Sequence, residues 1–151
     1  MKKAISWILL FFWLILIFTF SNQTGSVSTG LSDQVLSFLP KFIDSELLSF
    51  IVRKCAHFFE YFILAILTLN VCKNYAAISK KQLIITILFC FLYAISDEFH
   101  QVFIAGRTPK FWDVCIDTCG SLAGIVCMLI FSKKKSTLEE LGMKRKMSER
   151  N

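Results

Sequence analysis

Four predominantly apolar stretches divide the chain: Ala4–Phe20, Cys55–Cys72, Leu83–Ile104 and Val114–Ser132. Each is 17 to 22 residues long. At a helical rise of about 1.5 Å per residue they span about 26–33 Å, the thickness of bilayer hydrocarbon. Barrel strands would be about ten residues long and would alternate in polarity. These stretches do not alternate, so the pattern predicts an all-α integral membrane bundle of four transmembrane helices. The first stretch follows Lys2 and Lys3 as a signal sequence would. It is longer than a usual signal core and no Ala-x-Ala-like site follows, so a retained helix is expected.

The connecting segments differ from one another. The longest, Ser21 to Lys54, starts with a polar, turn-rich run whose Asn22-Gln23-Thr24 matches a glycosylation acceptor. Beyond it Val35, Leu36 and Leu39 recur at helical spacing, as do Leu47, Leu48 and Ile51, with Pro40 between the two sets. That reads as short amphipathic helices between the first and second spans. Lys73 to Gln82 is short and basic, and Ala105 to Asp113 carries Gly106 and Pro109 as breakers. Residues 133–151 form a basic tail, expected to be disordered or loosely helical, after a membrane domain of residues 1–132.

Charge orients the bundle. Twelve of the seventeen Lys and Arg residues precede the first span, separate the second from the third, or follow the fourth. The other five, Lys41, Arg53, Lys54, Arg107 and Lys110, fall on the opposite side. The positive-inside rule then places both termini in the cytoplasm of a multi-pass cell-membrane protein. The net charge of +6 therefore calls for no nucleic acid; membrane lipids are the expected partners, the tail touching anionic inner-leaflet lipid. The six cysteines lie in or at the ends of apolar runs and read as small packing residues. Cys115 and Cys119 share a helical face, but no Cys-x-x-Cys pair accompanies them.

Ionisable groups inside a span cost about 2.5–3.5 kcal/mol each on insertion scales. Five of the eleven acids, Glu60, Asp97, Glu98, Asp113 and Asp117, and both histidines, His57 and His100, lie in or at the spans. His57 and Glu60 open the second span, Asp97, Glu98, His100 and Gln101 close the third, and Asp113 and Asp117 open the fourth. Three segments of alternating direction thus put polar groups at one depth, near the outer face. By helical spacing His57 shares a face with Glu60 and Tyr61, and Asp97 with His100 and Gln101. Glu98 points about 100° from Asp97 and needs a different partner. Asp113 aligns with Asp117, Gly120, Ser121 and Gly124, and the Gly120-x-x-x-Gly124 pattern admits a close helix. Arg107 is the expected cation for Asp97 or Asp113, and Arg53 and Lys54 for Glu60, unless they snorkel. Such a network also fits plain helix association, but seven ionisable side chains exceed what joining three helices requires.

Arg53-Lys54-x-Ala56-His57-Phe58-x-Glu60-Tyr61 resembles the first signature of the VanZ-like family. Ser96-Asp97-Glu98-x-His100-Gln101-x-Phe103, with Gly106-Arg107 and Asp113-Val114-x-Ile116-Asp117-x-x-Gly120, resembles the second. Phe20-Ser21-Asn22-Gln23-Thr24-Gly25 is similar to the segment after that family's first helix. The resemblance implies a small bacterial membrane protein, in a family named for a member associated with teicoplanin resistance; it supplies no reaction.

Three functions fit the residues. In the first, Arg53, Lys54 and Arg107 bind the anionic group of a lipid, a cell-wall precursor or an amphiphilic glycopeptide antibiotic. In the second, the His/Asp/Glu cluster is an intramembrane hydrolase or transferase, with or without metal. Asp97-Glu98-Phe99-His100 lacks the second His of a zinc motif, and no cofactor is indicated. The third is a proton- or ion-coupled carrier. The inner half of the bundle is dry, so a through-path would require a homo-oligomer.

Overall fold

A computed structural model of the chain describes residues 2–22, 45–108 and 110–148. Four helices follow in order: α1 (Lys2–Ser21), α2 (Ser45–Lys73), α3 (Lys80–Gln101) and α4 (Phe111–Ser148). No strand occurs among the described residues. Each helix contains a segment long and apolar enough to cross a membrane: Lys2–Ser21, Phe50–Lys73, Lys80–Gln101 and Phe111–Lys134. Only helices satisfy every backbone group within their own segment, which is why apolar runs of this length adopt no other form in lipid.

The expected amphipathic segments have two fates. Val35, Leu36 and Leu39 lie outside the described residues, as do Gln23 and Thr24 of the acceptor triplet. Leu47, Leu48 and Ile51 belong to α2 itself, which runs without a break from Ser45 into the second span. No Gly or Pro lies between Ser45 and the second span, so the helix runs on into it. The tail likewise extends α4 to Ser148.

α2 is the central helix. Its largest contact is with α4, and it also packs on α1 and α3. Tyr61, Leu64, Ala65 and Leu69 of α2 are fully buried, with Cys90 and Ala94 of α3. Large apolar side chains face outward instead, among them Ile8, Phe12 and Ile15 of α1, Leu88 and Leu92 of α3, and Val126 and Ile130 of α4. In water this distribution would be a liability; in lipid it is the natural one.

The interior is held by small residues and hydrogen bonds. A Cβ at Gly120 would fall on the Phe58 carbonyl oxygen, and one at Gly124 on that of Phe62. The two glycines therefore let the α4 backbone rest directly on α2. α1 is fastened by polar contacts: Trp13 Nε1 donates to the Glu60 carbonyl at 2.9 Å, and Tyr93 Oη donates to the Leu14 carbonyl at 2.8 Å. At the far end Asn70 and Asn74 both donate to Ser6 Oγ, at 3.1 and 2.8 Å. Gly106, with φ of 75°, turns the chain between α3 and α4 in the left-handed region that glycine enters without strain. These contacts fix an antiparallel order, so the end of α1, the start of the second span, the end of α3 and the start of α4 meet at one end of the bundle.

Candidate functional site

The cluster end has two layers. The upper layer surrounds a pocket of about 90 Å³. Arg53 and Lys54 enter it from α2, and Arg107 and Lys110 from the loop between α3 and α4. Phe50, His57, Gln101, Gly106, Thr108 and Asp113 complete its wall. Four of the five basic residues on this side thus converge on one cavity; the fifth, Lys41, lies outside the described residues.

One ion pair shapes the wall. Lys54 Nζ meets Asp113 Oδ1, with the two side chains only 19% and 11% exposed. The sequence reading gave Asp113 or Asp97 to Arg107, and Lys54 to Glu60. For Lys54 the partner is Asp113 instead, because the close α2–α4 approach brings Lys54 opposite the first turn of α4. Arg107 lies within electrostatic reach of Asp97, Glu98 and Asp113. Burial, and then the neighbouring Arg53 guanidinium, lower its pKa from the usual arginine value, while those acids raise it. Guanidinium remains charged throughout, so like charges are crowded at the pocket.

The lower layer is largely buried. His57 Nδ1 stands 3.7 Å from Asp117 Oδ1 and 4.0 Å from Glu60 Oε2. Asp117 and Tyr61 are 0% exposed. Among the described residues, neither Asp117 oxygen has a hydrogen-bond partner, nor does Tyr61 Oη, His57 Nδ1 or Glu98 Oε1. Buried polar atoms normally find partners, so this layer holds hydrogen-bonding capacity that the described residues leave unused. Asp97 and Glu98 diverge as their spacing requires. Asp97 Oδ2 accepts from Gln101 Nε2 at 3.4 Å, and Glu98 Oε2 accepts the Lys110 backbone N–H at 2.8 Å. The second contact ties the loop to α3.

Two features escaped the sequence reading. The first is the contribution of α1, since Ser21 Oγ accepts from Gln101 Nε2 at 3.2 Å. His100 turns toward the same helix, its ring 4.8 Å from that of Phe18 and its Nε2 3.4 Å from Asn22 Oδ1. It therefore stands beside α1, apart from the pocket wall. The second is Lys110, whose one-turn spacing before Asp113 was the available signal. Among the described residues, no three His, Cys, Asp or Glu side chains are grouped to hold a metal ion. Cys115 and Cys119 are free thiols on α4.

Together these features define a multi-pass helical membrane protein with a cationic pocket at one bundle end, set above a buried layer of acids and an imidazole. A model of the VanZ/LLP1 family matches residues 6–132, and the chain belongs to that family. No curated protein and no solved structure matches it.

Proposed function

We propose that the protein binds the anionic head group of an amphiphile at the outer surface of the bacterial cell membrane, with both termini in the cytoplasm. The carrying observation is the convergence of Arg53, Lys54, Arg107 and Lys110 on one small cavity. Cations so placed repel one another, and a phosphate or carboxylate entering between them relieves that repulsion through charge-assisted hydrogen bonds. Asp113 pairs with Lys54, and Arg53, Arg107 and Lys110 line the cavity beside that pair. The exposed Phe103, Phe111 and Trp112 flank the same loop, where aromatic rings favour the head-group region. A lipid, a lipid-linked cell-wall precursor and an amphiphilic glycopeptide all present such an anion.

The test is titration of the detergent-purified protein with phosphatidic acid, phosphatidylcholine, a lipid-linked precursor and teicoplanin. The reading expects an anionic ligand to bind, with affinity falling as salt rises. Arg53→Gln and Arg107→Gln should each weaken binding by about tenfold to a hundredfold, the worth of one hydrogen bond to a charged group. Equal affinity for wild type and both variants would remove the proposal.

A further inference from the structure

The pocket wall includes one side chain whose chemistry binding alone leaves unused. We propose that His57 attacks phosphorus as a nucleophile, that Asp117 positions it, and that the site hydrolyses phosphate monoesters of membrane lipids. The inference rests on the head-group reading and adds a reaction to it.

His57 lines the cavity, yet its Nδ1 is turned toward Asp117 at 3.7 Å. Nε2, on the opposite side of the ring, is then the nitrogen offered to a ligand. Asp117 is 0% exposed, and among the described residues neither its oxygens nor His57 Nδ1 has a hydrogen-bond partner. The separation exceeds a hydrogen bond, and catalytic contacts of this kind commonly tighten when a ligand binds. Once closed, an Nδ1–H bond to Asp117 fixes the tautomer that leaves a lone pair on Nε2. The cations around it suit the oxygens of a phosphoryl group, whose transfer depends chiefly on positioning and charge stabilisation.

In the first step the Nε2 lone pair forms an N–P bond. The P–O bond to the lipid alcohol breaks, its electron pair leaving on the alcohol oxygen, which takes a proton from water. In the second step water attacks phosphorus, the N–P bond breaks with its electron pair returning to Nε2, and orthophosphate leaves, a proton from the attacking water neutralising the hydroxide left by the first step. The net change is monoester plus water to alcohol plus orthophosphate.

The experiment incubates the purified full chain with phosphatidic acid in mixed micelles and, separately, with p-nitrophenyl phosphate. It measures released orthophosphate and acid-labile, base-stable phosphate on the protein. Wild type should release phosphate and carry the label. His57→Gln should lose both, with turnover down about a hundredfold or more, while its melt and its affinity for a phosphonate analogue stay near wild type. Asp117→Asn should lower kcat about a hundredfold with little change in phosphonate affinity. Phosphonate binding without phosphate release from either substrate overturns the hydrolase and leaves the binding reading standing. Absence of phosphonate binding by wild type removes both. Full activity in a folded His57→Gln protein overturns the role of the histidine.

Discussion

Lys54 and Asp113 come from different helices, and their pairing decides where the positive charge of the pocket is spent. The pair is neither fully buried nor fully wet, being 19% and 11% exposed. Its disruption should therefore cost more than the roughly 0–1 kcal/mol of a surface pair and less than the roughly 3–5 kcal/mol of a deeply buried one. Lys54→Met should destabilise by about 2 kcal/mol in a detergent melt, with part of the loss recovered when Asp113→Asn is added, because no uncompensated carboxylate then remains. Asp97 makes a different case. It is 4% exposed, and an amide of equal shape keeps its contact with Gln101. Asp97→Asn should leave the melt unchanged and alter ligand affinity, since it removes a charge within reach of Arg107. Which acid meets Lys54 was not legible in the sequence. Partner choice at Lys54 depends on helix rotation and on how closely α2 and α4 approach, and spacing along one helix fixes neither.

The close approach is itself an element-scale property. Gly120 and Gly124 hold the α4 backbone against the carbonyl groups of Phe58 and Phe62. Gly124→Leu should abolish the cooperative melt, because the clash is with backbone that cannot swing aside; overpacking that can relax costs about 1–3 kcal/mol. Leu122→Phe, at a lipid-facing position of the same helix, should melt as wild type does. Normal melting of the leucine variant would show that the helices have another way to pack. The glycine pattern was readable because small residues at a spacing of four have one principal use in a membrane helix. The role of α1 was not. Its apolar run gave no sign of which face would dock, and its fastening by Trp13, Ser6 and Leu14 involves backbone carbonyls and distant side chains. Trp13→Phe should cost only about 0.6 kcal/mol, the average for an interhelical hydrogen bond in a bilayer.

At the scale of the whole molecule, the four spans and the gathering of polar groups at one end were legible from hydropathy and from the alternating direction of the segments. The two-layered character of that end was not, since it depends on Arg107 and Lys110, from the segment between α3 and α4, lining the same cavity as Arg53. That arrangement carries the account: a cavity lined by four cations, above a buried layer in which His57 faces Asp117 and Glu60. Mass spectrometry of the lipid that copurifies with the chain in mild detergent tests it most directly. Wild type should retain a phosphate-bearing lipid that an Arg53→Gln/Arg107→Gln/Lys110→Gln protein loses, whereas a Lys133→Gln/Lys134→Gln protein, altered by charge at the opposite end, should retain it. Identical lipid in all three, or none in any, would contradict the account.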